Sequence, residues 1–395
     1  MERRIGLPGL VDRLARTADR PAPLFAVDLP AFDANAAELL RRAGGRPVRL
    51  ATKSVRVPAL VERALAAGFE GLMTYSAAEA LWWAARGATD VLVGYPSADH
   101  AALAGLLAGP ARDVVTLMVD DVAHLDLLTA AGAGPAAPVR VCLDVDASLR
   151  LGRLLPEARR LHLGVRRSPL REPAAVAALA AEATRRGLVV RGLMFYEAQV
   201  AGLPDTSPAV RAVKRASLAQ LAGRRSAVVA AVTAEVGALG LVNGGGTGSL
   251  AATARDPAVT ELTAGSGLLA PGLFDGYREP LVPAGFIGLD VVRRPAPGIV
   301  TVFSGGFAAS GPAGRDRSPA PVLPPGLRLL RSEGAGEVQT PLTGPGTQGL
   351  APGDRVWLRH AKAGEVMERF AEVVAVRDGG AEVMATYRGL GLTFG

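Results

Sequence analysis

The chain holds three lysines against 41 arginines, and one of the three, Lys53, lies in Leu50-Ala51-Thr52-Lys53-Ser54, where a short apolar run ends. Arginine keeps its charge, whereas a lysine amine can lose its proton and attack a carbonyl. Lys53 therefore points to Schiff-base chemistry. The plain alternative is a solvated lysine at the end of a strand. Two glycine-rich stretches weigh against that alternative, Asn243-Gly244-Gly245-Gly246-Thr247-Gly248-Ser249 and Gly265-Ser266-Gly267. Glycine lets backbone N–H groups come close to an anion, and the hydroxyls of Thr247, Ser249 and Ser266 add uncharged donors. No Gly-Lys-Ser/Thr accompanies them, so nucleotide hydrolysis is not indicated.

These groups need a scaffold that brings strand ends together. Apolar strand-like runs recur near Val48–Thr52, Gly71–Tyr75, Asp90–Gly94, Val114–Val119, Val139–Asp144, Val189–Tyr196, Leu239–Asn243 and Thr260–Ala264. Between them lie alanine-rich segments with helical spacing, among them Pro58–Ala67, Ala77–Arg86, Ala101–Ala108, Val122–Ala131, Ala174–Arg186 and Ala209–Ala234. Eight strands, each followed by a helix, describe a (β/α)8 TIM-type barrel, an α/β fold that closes in about 250 residues. Phosphate in such barrels is held by the loops after strands seven and eight, which here are the two glycine-rich ones. A lysine at the end of the first strand and an anion cup at the last two then face each other across adjoining strands. Pyridoxal phosphate needs both, an amine for its aldehyde and an anion site for its phosphate.

Past Asp275 the texture changes to short strands with turn signals, Arg355–Leu358, Glu372–Arg377 and Ala381–Thr386, which read as a C-terminal antiparallel β domain. The division expected is residues 1–45 as a segment whose strand Leu24–Asp28 joins that β domain, 46–275 as the barrel, and 276–395 as the β domain. The Gly/Pro/Ser-rich stretch from Ser304 to Gly326 is either a connection or a loop over the active site.

Composition narrows the partners. The net charge of +7 comes from scattered arginines such as Arg41-Arg42, Arg159-Arg160 and Arg224-Arg225, not from a basic block, so nucleic-acid binding is not supported and small anions are favoured. Cys142 is the only cysteine, in an apolar run, and reads as an inert buried thiol. Met1–Leu14 lacks a signal-peptide core and no stretch suits a bilayer, which predicts a cytoplasmic protein without membrane contact.

Ala51-Thr52-Lys53-Ser54, Asp144-Val145-Asp146 through Arg150-Leu151-Gly152, Gly192 through Gln199, Asn243 through Thr247, and Arg359-His360-Ala361-Lys362-Ala363-Gly364-Glu365 together resemble the fold-type III pyridoxal-phosphate enzymes. This group includes alanine racemase, D-threonine aldolase and D-serine dehydratase. The likeness runs from about Leu24 to the C-terminus and is nearest the amino acid deaminase/aldolase branch related to D-threonine aldolase. It implies that Lys53 carries pyridoxal 5'-phosphate, that Arg150 lies near the cofactor ring, and that Tyr196 lines the pocket beside it. An arginine near the pyridine nitrogen disfavours ring protonation and weakens the electron sink. Glu197 and Gln199 lie close by without an assigned role.

The resemblance further implies that a histidine at position 360 helps bind a divalent metal, with an aspartate or cysteine two residues on. This chain has Lys362 there, and an ammonium repels a cation. His360 then serves as an acid/base for the β-hydroxyl proton, or joins Arg359 and Lys362 in a basic rim for the substrate carboxylate. Glu365 is a substitute ligand that its spacing does not require.

The function expected is a lyase on a D- or β-hydroxy amino acid, by aldol cleavage or deamination. An alanine-racemase-type racemase is the alternative and would need a second base, for which Tyr277 and Tyr387 are available outside any racemase motif. A non-catalytic pyridoxal-phosphate carrier is the other, and the C-terminal β domain argues against it. A homodimer is expected from the family.

Overall fold

A computed structural model describes residues 6–152 and 161–395; the Arg159-Arg160 pair and the first five residues lie outside them. In chain order the strands are β1 Leu24–Asp28, β2 Val48–Ala51, β3 Leu72–Thr74, β4 Val91–Val93, β5 Val115–Val119, β6 Arg140–Asp144, β7 Leu149–Leu151, β8 Leu161–Leu163, β9 Val189–Phe195, β10 Leu241–Gly244 and β11 Glu261–Ala264. They continue as β12 Gly285–Ala296, β13 Ile299–Phe303, β14 Ala320–Leu323, β15 Arg328–Leu329, β16 Gln339–Thr343, β17 Arg355–Arg359, β18 Glu372–Arg377 and β19 Gly380–Ala385. Two compact units result, one of residues Leu39–Thr52, Gly68–Gly265 and Phe394–Gly395, the other of Met1–Glu38, Lys53–Ala67 and Ser266–Thr393.

In the first unit β2, β3, β4, β5, β6, β9, β10 and β11 close into a parallel barrel in that order. Each barrel strand matches its counterpart in the sequence to within about two residues at either end, and most of the strand residues are apolar and buried. Helices start where side chains cap them: Ser76 accepts from Glu79 N–H at 3.2 Å, Asp99 from Ala102 N–H at 3.0 Å and Ser207 from Val210 N–H at 3.2 Å. Leu92, Met118, Cys142, Met194 and Leu241, from neighbouring strands, pack into one buried cluster with Met73 against it. Burial pushes the Cys142 thiol pKa up, which keeps it protonated and inert.

The strand–helix alternation stops at the end of the barrel. Only the four residues Leu250–Thr253 are helical after β10, and a 3-10 turn, Ser266–Leu268, follows β11. The glycines between strand and turn are poor helix formers, and they keep these two loops tight. A small hairpin of β7 and β8, with Arg150 opposite His162, also interrupts the pattern.

At the N-terminal ends of the strands a charged cluster plugs the barrel. Arg49 is fully buried and donates through Nε to Glu261 Oε1 at 2.8 Å and through Nη2 to Glu261 Oε2 at 2.7 Å and Asp90 Oδ2 at 2.8 Å. Arg191 reaches Asp90 Oδ1 at 2.8 Å. Burial works to lower the Arg49 pKa, but Glu261 and Asp90 outweigh it and hold the guanidinium above its ordinary value.

The second unit is built on a sheet running β15-β16-β13-β12-β1-β18-β19, with β17 on β12 and β14 on β17. It is antiparallel except at one seam, where β1 runs parallel to β18 with Ala26 opposite Val374. The antiparallel β domain expected from the sequence is thus present, mixed at this one seam. The strand from the start of the chain enters the sheet between two elements from its far end, with Leu24 opposite Gly288 on its other side. Leu10 and Leu14 of the helix Leu10–Ala15 cover Leu24, Ala26, Phe286, Trp357, Val374 and Val376 to make the core of this sheet.

Candidate active site

On the barrel, β11 lies between β10 and β2, so the C-terminal ends of these three strands are adjacent. Gly244-Gly245-Gly246-Thr247 leaves β10, Gly265 follows β11, and Lys53 is the second residue after β2. The Thr52 hydroxyl donates to Met73 O at 3.1 Å and pins the end of β2 to β3. Gly245 has φ 90°, a value that favours glycine. A Cβ on Gly246 would lie 2.7 Å from Ala201 Cβ and 3.4 Å from the Tyr196 ring, so this loop packs against Ala201 and Tyr196.

Asn243 directs its amide to Glu261 at 2.7 Å and Thr263 at 2.8 Å, tying β10 to β11 beneath the loop. Glu197 is fully buried and accepts from the hydroxyls of Ser249, at 2.8 Å, and Thr253. Gln199 donates to Ala147 O at 2.8 Å. Glu197 and Gln199 thus brace the loops.

Arg150 pairs with Asp146 Oδ2 at 2.9 Å, and Arg171 meets the same oxygen at 3.0 Å. Burial works to raise the Asp146 pKa, but two hydrogen bonds from Ser148 and the two guanidiniums prevail, and the carboxylate stays ionised. Arg167 lies between the rings of Tyr95 and Tyr196, 5.4 Å from each centroid.

Asp144, at the last position of β6, was quoted in the sequence pattern without a role. It borders a narrow cleft with Asp146, Ala147, Val165, Arg167 and Tyr196. Burial, with Asp120 and Asp146 adding to it against Arg167, pushes its pKa up to about 7. A carboxyl so placed exchanges a proton near neutrality. The folded chain retains that proton where the unfolded chain, at the ordinary 3.8, has released it, so stability present in acid is lost as pH rises from there to about 7. Asp144→Asn is expected to remove this loss. Urea unfolding should find the variant more stable than the parent by a few kcal/mol, roughly, at alkaline pH, with the difference vanishing below the ordinary carboxylate pKa.

In the other unit Lys53 and Ser54 meet Gly364. Gly364 has φ 91° and ψ −59°, and a Cβ there would lie 1.8 Å from Lys53 O. Arg56 Nε donates to the same carbonyl at 3.1 Å, and its Nη1 to Glu368 at 2.6 Å. Gly364→Ala is expected to cost about 1–3 kcal/mol through strain and overpacking, and to displace the Lys53 turn. Thermal melts with and without pyridoxal phosphate measure both effects.

His360 is fully buried at 1 % exposure, its ring edge-on to Phe25 at 5.4 Å. Nδ1–H donates to Gly285 O at 3.2 Å, which leaves Nε2 as an acceptor, buried and without a partner among the described residues. Burial, helped by Arg359, holds its pKa down to about 3, so the ring is neutral. Arg359 is buried and bound to Asp275 at 2.6 Å and Ala270 O at 2.7 Å. A basic rim of Arg359 and His360 is therefore not formed. His360 opens onto a cavity of ≈ 310 Å³ lined also by Phe307, Ser310, Lys362, Glu365 and Arg369. Ser310 belongs to the Gly/Pro/Ser-rich stretch, which is anchored at its other end by β14 pairing with β17. Tyr387 is buried at 1 % exposure and Tyr277 packs edge-on to Phe274 at 4.8 Å.

The family described as alanine racemase, N-terminal domain, matches residues 27–235, more than half of the chain. The chain belongs to that family. It is 28 % identical over 304 residues to a D-threonine aldolase from Arthrobacter sp., covering 74 % of this chain and 73 % of that one. Its fold matches the crystal structure of D-threonine aldolase from Filomicrobium marinum with a TM-score of 0.77 at 21 % identity, over 94 % of this chain and 96 % of that one. D-threo-3-hydroxyaspartate dehydratase from Delftia sp. HT23 matches with a TM-score of 0.73 at 20 % identity, over 94 % and 98 %.

The alanine racemase N-terminal domain family implies pyridoxal phosphate. The donor set suits that group: an amine at residue 53, and loops after β10 and β11 that carry glycines and hydroxyls but no carboxylate from Gly244 to Ser249 and from Gly265 to Gly267. The divalent metal implied by the resemblance is not suited. His360 Nε2 is a fitting ligand, but the Lys362 ammonium shares its cavity, and among the described residues no three His, Cys, Asp or Glu side chains are grouped to hold a metal.

Proposed function

We propose that this chain is a pyridoxal-phosphate-dependent lyase that cleaves or deaminates a D- or β-hydroxy amino acid. The observation that carries this reading is the single amine following β2, whose barrel neighbours β11 and β10 end in loops built to receive a phosphate. The relation to a D-threonine aldolase supports the choice of reaction. Bound pyridoxal phosphate would supply an aldehyde for amines and an electron sink that loosens the bonds of the substrate α-carbon.

The residues divide the remaining work. Lys53 would hold the cofactor through its amine. Backbone N–H groups of Gly244, Gly245, Gly246, Gly265 and Gly267, with the hydroxyls of Thr247 and Ser266, receive the phosphate, while Asn243 holds the first loop in shape. Arg150, steadied by Asp146, and Tyr196 would line the cofactor's pocket. His360, neutral across the working pH range, would accept a hydrogen bond from the β-hydroxyl at Nε2 and so orient it. Two copies of the chain form a homodimer, a state that light scattering after size exclusion reports directly.

The test is to incubate the yellow holoprotein with D- and L-β-hydroxy amino acids and assay the products. Aldehyde with glycine identifies cleavage; ammonia with a 2-oxo acid identifies deamination. Interconversion of enantiomers alone would make the chain a racemase, and retained cofactor without any turnover would make it a carrier.

A further inference from the structure

We propose that the Lys362 ammonium is a built-in cation that excludes a divalent metal from the His360 cavity and binds the oxygen substituent on the β-carbon of the substrate, an inference whose second half rests on the lyase reading. Lys362 Nζ donates to Ser310 Oγ at 2.7 Å and stands 3.7 Å from Glu365 Oε2. Ser310 in turn gives its Oγ–H to Glu365 Oε2 at 2.5 Å and its N–H to Glu365 Oε1. Both carboxylate oxygens of Glu365 are therefore engaged by Ser310. The Gly364 φ that seats this segment on the Lys53 carbonyl sets its position relative to that turn.

The charges decide what the cavity accepts. Lys362 and Arg369 are positive, Glu365 is negative and His360 is neutral, so the lining carries a net positive charge. A divalent cation binding at His360 Nε2 meets that charge at short range, where Coulomb repulsion is strongest. An electron-rich oxygen meets the opposite: N–H donors from Lys362 on the wall, and at Nε2 an acceptor for the proton it carries. The ammonium thus draws the β-oxygen into the cavity as a fixed positive charge.

The test uses the holoprotein, stripped with chelator and titrated with ZnCl2 and MnCl2 by calorimetry. The parent is expected to show no saturable binding. Lys362→Asp is expected to take up Zn²⁺ in a one-to-one ratio and to lose it when His360→Ala is added. Stoichiometric metal in the parent that disappears with His360→Ala would overturn the proposal, as would a Lys362→Asp protein that melts like the parent yet binds none. For the substrate half, affinities are read from cofactor absorbance. Lys362→Met should weaken a β-hydroxy amino acid by roughly tenfold to a hundredfold while leaving the analogue without the hydroxyl near its parental affinity, and Lys362→Arg should restore part of the loss. Equal weakening of both ligands refutes a contact with the β-oxygen. Absence of lyase products would count against the proposed reaction alone, because neither the metal titration nor the spectral titration depends on turnover.

Discussion

Lys53→Arg is expected to slow turnover by at least about a thousandfold. Arginine keeps the positive charge and length, and residue 53 is exposed on a short 3-10 turn, so the substitution leaves the fold intact. What it removes is the ability to shed a proton and attack an aldehyde. The glycine-rich loops after β10 and β11 are untouched, so on the proposed reading pyridoxal phosphate should still bind, noncovalently, with the absorbance of a free aldehyde. Borohydride reduction followed by peptide mass spectrometry should find the label on the Lys53 peptide of the parent and nowhere in the variant. A variant with a rate within tenfold of the parent would remove this lysine from the chemistry.

Arg49→Met is expected to destabilise the barrel by about 3–5 kcal/mol, the usual range when one partner of a buried ion pair is deleted. The Glu261 carboxylate loses two guanidinium hydrogen bonds, whereas Asp90 retains Arg191. A companion Glu261→Gln should recover part of the loss, because the uncompensated charge goes with it. Urea unfolding of the two single variants and the double variant measures the coupling. A loss below about 1 kcal/mol would mean that the cluster behaves like a solvated surface pair.

Much of the barrel could be read from the chain because its strands are mostly apolar runs bounded by glycines or charges, and the helices beginning at Ala77, His100, Val122 and Pro208 each have a capping side chain just before them. The helix Leu29–Arg42 was less legible: it follows β1 without a turn, and Pro30 reads as a breaker although it sits in the first helical turn. β7 and β8, at three residues each, are too short to show alternation. The lysine and both glycine loops stood out by type and spacing. Asp144 did not, since its perturbation comes from burial and from Asp120, which no local window brings together with it. The link between Lys362 and Ser310 was hidden in the same way, for 52 residues separate them along the chain. Arg49, a charge within an otherwise apolar strand, was a visible signal whose partner became clear only once the ring of strands closed.

The seam at β1 bears on biosynthesis. Every residue of the barrel leaves the ribosome after β1 and before β12, the first strand that can pair with it, and β18 is made later still. Vectorial synthesis therefore allows the barrel to form while β1 waits with unsatisfied edges, and the second unit becomes foldable only after β12 and β18 have emerged. A circular permutant that moves the segment through β1 to follow residue 395 would let this strand emerge after both partners, shortening the interval in which it can pair with another chain.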